Sequence, residues 1–295
     1  MSTTTNNNNI ISNIDNTNSL STKITEYVLS NRPKLYILTP CYGGMCHVNY
    51  VCSLMTTINV FKSYNFPLQI EFCKNDSLIS RARNNLVAKA MNDPEMTHIL
   101  FIDSDITWDT IEIFKLILAE KPLIGGVYPI KNYFWKKIIP TNSVEENKLQ
   151  KLFERRNKSS ILNSLYSEED FLKQNLLNYN INYISNSLSI NSNIAEVKHI
   201  ATGFMMIQRN TIEIMMEYYT DTKYTDDVSF LSGSENDFAY ALFDCRVEDG
   251  HYMSEDWLFC SRWSKIGGNI FIDVTIDLTH TGQEDYKGSL ISTFM

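Results

Sequence analysis

Residues 97–109, THILFIDSDITWD, decide the fold of this chain. Four apolar residues, Ile99–Ile102, lead directly into Asp103, Ser104 and Asp105. A short run of Ile, Leu and Phe predicts a buried strand. In an open α/β sheet, ligands bind at the carboxyl ends of the strands. The stretch therefore predicts a central strand that carries two carboxylates at the ligand-binding edge.

The spacing of Asp103 and Asp105 suits a divalent cation. Residues two apart on a strand point to the same side, and two nearby carboxylates repel unless a positive charge lies beside them. Carboxylates are preferred ligands of Mg²⁺ and Mn²⁺, which often hold a diphosphate as well. Alternatively, Asp103 caps the following helix and Asp105 is solvated. The triplet alone does not decide between these two interpretations.

Strand and helix patterns alternate on both sides of this strand. Apolar β-rich runs alternate with runs that have apolar residues at helical spacing. This order predicts an α/β fold with a mostly parallel central sheet and helices on both faces. The runs, in chain order, are KLYILTP (34–40), VNYVCSLMTTINVFKSY (48–64), FPLQIEFC (66–73), NDSLISRARNNLVAKAMND (75–93), HILFID (98–103), TIEIFKLILAEKP (110–122) and LIGGVYPIK (123–131).

Two segments differ in composition from this alternation. Residues 1–22 are dominated by Asn, Ser and Thr, which predicts a flexible tail. Residues 141–195 are rich in Asn, Ser, Leu and Lys and lack glycine, which predicts a partly helical insertion or flap. Sheet character resumes with EVKHIATGFMMIQ, residues 196–208.

Charge and cysteine content exclude several classes of protein. The chain of 295 residues has a net charge of −8, whereas a general nucleic-acid binder is normally basic. No apolar run approaches the roughly 18–20 residues that span a bilayer, and the N-terminus lacks a secretory signal pattern. The six cysteines form no CxxC pair, which favours reduced thiols. We therefore expect a soluble cytoplasmic protein, in the host cytoplasm if it is viral, and a homo-oligomer is allowed.

Several of these segments, in this order, resemble the GT-A fold glycosyltransferases that use nucleotide-diphosphate sugars. More narrowly, the chain resembles the small GT-A enzymes of large DNA viruses and phages. The resemblance implies one GT-A domain over residues 23–295, which transfers a sugar from a UDP-sugar to an acceptor hydroxyl of a glycan or glycoprotein. The matching pieces are ILTPCYGG, NDSLISRARN, ILFIDSDITW, IGGVYPIK, ATGFMMIQR, SEDWLFCSRWSKIGG and THTGQEDYKG; they span about residues 35–288, with 141–195 unmatched.

The resemblance also implies a site for the donor nucleotide. The loop after the first strand would hold the nucleoside, with Tyr42 able to stack on a base. The helix that follows the second strand would supply phosphate contacts, with Arg81 slightly ahead of Arg83 because the helical register is open. Gly203 would leave room for the donor sugar. The implied nucleotide-binding residues are Thr39, Pro40, Tyr42, Arg81, Arg83, Asn84, Asp103, Ser104, Gly282 and Lys287.

For the metal and the chemistry, the resemblance implies three further roles. Asp103 and Asp105 would bind Mn²⁺ or Mg²⁺, with His280 as a second kind of ligand. Asp256 would be the general base, with Glu255 as the alternative. From the residues alone, the Glu-Asp pair is equally explained as acidic residues that complement a helix dipole. Trp257 and Tyr252 offer stacking faces for an acceptor sugar, although Trp257 is equally explained as a core residue.

Two other functions compete with this one. A nucleotidyltransferase that makes nucleotide sugars usually has a glycine-rich basic loop after its first strand, but CYGGMCHVNY, residues 41–50, contains neither Lys nor Arg. A non-catalytic sugar-binding protein on the same fold would not need the acidic and histidine set. Both remain alternatives to the glycosyltransferase.

Overall fold

The computed structural model describes residues 19–139 and 148–284, which form a mixed α/β structure. The helices are α1 (19–31), α2 (Val48–Ser63), α3 (Ile79–Met91), α4 (Thr110–Leu118), α5 (Lys148–Lys158), α6 (Ser160–Leu165), α7 (Glu168–Leu176), α8 (Arg209–Tyr218) and α9 (Glu255–Lys265). The strands are β1 (Leu35–Cys41), β2 (Leu68–Lys74), β3 (His98–Ile102), β4 (Ile106–Thr107), β5 (Leu123–Gly125), β6 (Ile181–Asn182), β7 (Ile190–Asn191), β8 (Ile194–Val197), β9 (His199–Ile200), β10 (Phe204–Gln208), β11 (Arg246–Glu248), β12 (His251–Met253), β13 (Ile270–Asp273) and β14 (Thr279–His280).

The central sheet has eight strands in the order β2-β1-β3-β10-β5-β13-β8-β7. The pairs β1–β2, β1–β3 and β5–β13 are parallel, whereas β10 and β8 are antiparallel to their neighbours. Within this sheet, the six strands other than β10 and β8 therefore run in one direction. The predicted α/β class, with its mostly parallel sheet, is confirmed.

Strand β3 explains how both faces of the sheet are covered. Its residues are fully buried, and alternate ones belong to different halves of the core. Ile99 and Phe101 pack in one cluster with side chains of α3, α8 and α9, whereas Leu100 and Ile102 pack in another with side chains of α1, α2 and α4. Because side chains alternate along a strand, Asp103 follows Phe101 towards the α3 and α9 face.

The described chain divides into two compact units. The larger consists of residues 19–128 and 180–279 and contains the sheet, and the smaller consists of residues 129–139, 148–179 and 280–284 and contains α5, α6 and α7. The predicted insertion, residues 141–195, overlaps the smaller unit. The smaller unit begins at Pro129, and β7 and β8 belong to the central sheet; the bounds of the insertion stay a prediction.

The first helix begins inside the segment that was expected to be a flexible tail. Residues 19–22 of the predicted tail are helical, and residues 1–18 lie outside the described residues. Leu20 and Ile24 of this helix pack in the same half of the core as Leu35 and Ile37 of β1.

Among the described helices, none combines the length and apolar character needed to cross a membrane.

Candidate functional site

Asp103, Ser104 and Asp105 form a tight turn at the end of β3. The Asp103 backbone N–H donates to the Gly203 carbonyl at 3.1 Å, and its carbonyl accepts from Ile106 N–H at 3.0 Å. All three turn residues are half-buried. The alternative that Asp103 caps the next helix is wrong, because Asp109 caps α4 and accepts from Ile111 N–H at 3.0 Å.

Arg83 joins this turn to the start of α9. Its Nη2 donates to Asp103 Oδ1 at 3.0 Å, and its Nε donates to Glu255 Oε1 at 3.3 Å. The guanidinium is 4% exposed, against 31% for the Asp103 side chain and 14% for Glu255. One buried cation thus connects two acidic positions that lie far apart in the sequence.

The environment of Arg83 strongly favours its charged form. Burial alone would lower its pKa, but the negative charges of Asp103 and Glu255 raise the pKa overall. The guanidinium also lies over the Phe101 ring, with 5.2 Å from Cζ to the ring centroid. Its Nη1 is buried and has no hydrogen-bond partner among the described residues. A buried donor without a partner costs about 1–3 kcal/mol.

Asp256 lies at the second position of α9 and is 8% exposed. Its Oδ1 accepts from the Ser254 hydroxyl and, at 2.9 Å, from Trp257 N–H. Burial raises its pKa above the usual range for aspartate, and the charge of Glu255 raises it further. Within residues 19–139 and 148–284, Oδ2 accepts no hydrogen bond, and it is not among the buried atoms that lack a partner, so solvent reaches it.

The helix α3 separates the roles of the two predicted arginines. Asp76 lies before its start and binds Arg81 through two bonds, from Nε at 2.9 Å and from Nη2 at 2.8 Å. Arg83, two residues further on, is the arginine that reaches the acidic turn. Arg83 and not Arg81 therefore contacts the acidic turn, while the implied phosphate contacts of both arginines stay a prediction.

Asn84 has a structural environment. It is 4% exposed, its Nδ2 donates to the Phe243 carbonyl at 2.7 Å, and its Oδ1 accepts from Phe243 N–H at 2.9 Å. The side chain thus fixes the segment before β11 against α3. Its implied contact with a nucleotide stays a prediction.

Substituting Asn84 with Ala is expected to destabilise the protein by about 2–4 kcal/mol, because two backbone groups of Phe243 lose their buried partner. Urea unfolding at equilibrium measures this. Asn59→Ala, at an exposed position of α2, is the matched control and should cost less than about 0.5 kcal/mol. Equal midpoints for wild type and Asn84→Ala would contradict the structural role.

The predicted nucleoside loop is exposed only in part. Thr39 and Pro40 are buried within β1, where Thr39 Oγ1 hydrogen-bonds the Tyr50 hydroxyl at 2.6 Å. The Ser104 carbonyl accepts from His47 N–H at 2.9 Å and so ties this loop to the acidic turn. Tyr42, by contrast, is 77% exposed, which leaves its ring open to a planar ligand.

Of the remaining predicted residues, His280 and Gly282 belong to the smaller unit. In the smaller unit, His280 Nδ1 lies 2.8 Å from the Pro129 carbonyl, which can only accept, so Nδ1 carries the proton. A Cβ on Gly282 would come within 2.7 Å of Lys131 Cδ. Lys287 lies outside the described residues. Whether these three residues serve the acidic turn stays a prediction.

The two aromatic residues proposed for an acceptor sugar differ in exposure. Trp257 is half-buried and stacks on His199 at 5.2 Å between ring centroids. Burial lowers the pKa of His199 to about 4, so this histidine is neutral at physiological pH. Tyr252 is 71% exposed and keeps a free face for stacking.

Tyr128 is a site residue that sequence reasoning missed. It is 6% exposed, and its hydroxyl oxygen accepts from Gly203 N–H at 3.1 Å. Burial and then the charge of Asp103 raise its pKa. The tyrosine ring fills the space beside Gly203 that the resemblance assigned to a donor sugar. The only sequence signal was the position of Tyr128 in the matched piece IGGVYPIK.

Substituting Gly203 with Ala is expected to destabilise the protein by about 1–3 kcal/mol through overpacking. The new Cβ would lie 2.5 Å from the Tyr128 hydroxyl and 2.7 Å from its Cζ, and the buried ring has little room to move. Thermal unfolding measures the change. Adding Tyr128→Phe should recover part of the loss because it removes the nearest atom. No loss in the single variant would contradict this packing.

The acidic turn supplies two of the ligands that a metal ion needs. Two half-buried carboxylates, Asp103 and Asp105, are the donors that Mg²⁺ and Mn²⁺ use together with substrate phosphates. Across residues 19–139 and 148–284, no group of three or more His, Cys, Asp or Glu side chains is arranged to hold an ion. The turn therefore fits a cation whose remaining coordination positions are filled by the phosphates of a bound substrate.

The known proteins reported as similar to this chain are solved structures of low sequence identity. No protein-family model and no curated protein matches the chain. Among solved structures, A197 from STIV matches at 11% identity and a TM-score of 0.45, over 85% of this chain and 86% of that chain. A 4-diphosphocytidyl-2C-methyl-D-erythritol synthase from Anaerococcus prevotii DSM 20548 matches at 10% identity and a TM-score of 0.30, over 66% of this chain and 80% of that chain.

Proposed function

We propose that this protein is a metal-dependent glycosyltransferase that moves a sugar from a nucleotide-diphosphate sugar, first of all a UDP-sugar, to an acceptor hydroxyl of a glycan or glycoprotein. The observation that supports this most is the Arg83 bridge. It joins the acidic turn after β3 to the Glu255-Asp256 start of α9, at 3.0 and 3.3 Å. A donor site and a base must lie close together for direct transfer, and this bridge connects the residues proposed for both.

In this proposal, Asp256 removes the proton from the attacking acceptor hydroxyl. Its raised pKa brings it closer to neutral pH than an ordinary aspartate, which improves a general base. Oδ1 is already engaged by Ser254 and Trp257, which fixes the carboxylate, and Oδ2 receives the proton. Glu255 is less suited to this role because it neutralises Arg83.

Arg83 has two roles in the proposed reaction. It orients Asp103, and its unpartnered Nη1 supplies a buried charged donor for a phosphate or sugar oxygen of the donor substrate. Tyr42 offers its exposed ring to the base of the nucleotide. These residues bind and orient the donor before the acceptor attacks.

Asp103 and Asp105 would hold Mn²⁺ or Mg²⁺ together with the diphosphate, which supplies the remaining ligands because the described residues offer no third His, Cys, Asp or Glu arranged for an ion; the role implied for His280 as a ligand stays a prediction. The ion, when bound, would offset the negative charge that develops on the leaving diphosphate. Lys287 and Gly282 are proposed to contact the same group.

A panel of nucleotide sugars tests the proposal. With Mn²⁺ present, we expect slow hydrolysis of at least one UDP-, GDP- or CDP-sugar, a loss of at least about 100-fold in Asp105→Ala, and little change in the control Asp109→Asn, whose side chain caps α4. Nucleotide-sugar synthesis from a nucleoside triphosphate with release of pyrophosphate would instead identify a nucleotidyltransferase. Sugar binding that needs no nucleotide would identify a non-catalytic protein.

A further inference from the structure

We propose that a basic pocket in the smaller unit binds compact ligands that carry two or more phosphate groups. This inference goes beyond the proposed transfer reaction and uses none of its residues. The pocket has a volume of about 320 Å³. It is lined by Lys137, Ile138, Lys148, Lys151, Leu152, Arg155 and Asn175.

The charge of this pocket is opposite to that of the whole chain. Lys137, Lys148, Lys151 and Arg155 are four of the seven described lining residues, and none of these seven is Asp or Glu, although the chain carries −8 overall. Cations gathered in a concavity raise the local positive potential and attract anions. The lining therefore selects for negative charge.

Two of these cations are fixed by neutral partners. Lys137 Nζ donates to the Leu177 carbonyl, and Arg155 Nη2 donates to Asn175 Oδ1. The Arg155 guanidinium also lies over the Phe171 ring at 5.5 Å. Within the described ranges neither side chain forms a salt bridge with a carboxylate. These contacts hold the charges in place without neutralising them.

The helix α5 aligns the other positive charges with Arg155. Lys148, Lys151 and Arg155 stand three and four residues apart, which places them along one face of the helix. Arg can form a fork with a phosphate, whereas Lys contacts it as a point charge. The volume is at the lower end of the roughly 300–1,000 Å³ typical of small-molecule sites, so a short polyphosphate fits better than a nucleic-acid duplex.

Titration calorimetry with inorganic tripolyphosphate tests the proposal on the full chain. EDTA is present, so that the proposed metal site makes no contribution. We expect binding that weakens with added salt, because the charges are exposed to solvent. Lys137→Gln/Arg155→Gln should weaken it by roughly 100-fold, about tenfold for each lost charged contact.

The control variant Lys136→Gln/Lys158→Gln removes the same charge from two residues of the smaller unit that are not among the lining residues. Its affinity should stay within about twofold of wild type. Vesicles that contain phosphatidylinositol bisphosphate form a second arm, and binding there with the same sensitivity would assign the phosphates to a lipid headgroup. Equal weakening in both double variants, or binding of long RNA alone, would overturn the proposal, as would no binding in either arm.

Discussion

Asp256→Asn is expected to lower the rate constant of sugar transfer by about 10²–10⁴, the usual contribution of a general base. In the wild type, kcat/KM should rise with pH through the raised pKa of Asp256 and should therefore have an acidic limb above the range of an ordinary aspartate. The variant should lose this limb. Initial rates across a pH series, with the best donor from the nucleotide-sugar panel, measure both effects.

The same substitution should leave the fold as stable as before, or more stable. Burial raises the pKa of Asp256, so folding favours the protonated form; this contribution is fully present below the pKa of the unfolded chain and is lost as pH rises through the folded pKa. At neutral pH the charge therefore costs stability, and Asn removes that cost. Its side-chain oxygen can still accept from Ser254 and Trp257.

Glu255→Gln is the comparison that separates the two acidic residues. It should keep the acidic limb of the pH profile, since Glu255 pairs with Arg83 instead of taking the proton. If Glu255→Gln removes the limb and Asp256→Asn keeps it, the assignment of the base is wrong.

Arg83→Met is expected to destabilise the protein by about 3–5 kcal/mol, because removing one partner of a buried ion pair leaves the other charge uncompensated. Both Asp103 and Glu255 would lose their counter-ion, and the cation–π contact with Phe101 would also be lost. Removal of the unpartnered Nη1 offsets only part of this loss. Urea unfolding of the metal-free protein measures this loss.

Two further arginine variants sharpen the result. Arg81→Met on the same helix should cost less than Arg83→Met, because the Arg81 side chain is 34% exposed and only one carboxylate, Asp76, loses its partner. Arg83→Lys should fall between wild type and Arg83→Met, since one ammonium group cannot reproduce both bonds of the guanidinium. Equal losses at positions 81 and 83 would contradict the central role of Arg83.

Helices and strands could be predicted from the sequence because apolar runs and helical spacing lie within a few neighbouring residues. The apolar run Ile99–Ile102 becomes buried β3, and the helix with Arg83 follows β2 as expected. The run at 123–131 was predicted as one strand, but β5 ends at Gly125. Gly126 N–H then donates to the Phe204 carbonyl, and a Cβ there would meet Ile276 Cγ2 at 2.5 Å, so close packing from distant segments controls this stretch.

Long-range pairing was harder to predict from the sequence. Whether Arg81 or Arg83 faces the acidic turn depends on where α3 begins, and Asp76 decides this by accepting from Leu78 N–H and binding Arg81. Asn84 finds its partner 159 residues away, at Phe243, and no periodicity encodes such a contact. Tyr128 was overlooked because a buried tyrosine within an apolar run has the same sequence pattern as an ordinary core residue.

Calorimetric titration of UDP into the metal-free protein, with and without added Mn²⁺, tests the central claim most directly. We expect binding that requires Mn²⁺, disappears in Asp105→Ala and survives in Asp109→Asn, because the acidic turn and the diphosphate hold the ion together. GDP, CDP and ADP are titrated in the same way in case the base differs. Binding of a nucleoside diphosphate that is unchanged by EDTA, or no binding of any of the four with Mn²⁺ present, would contradict the account.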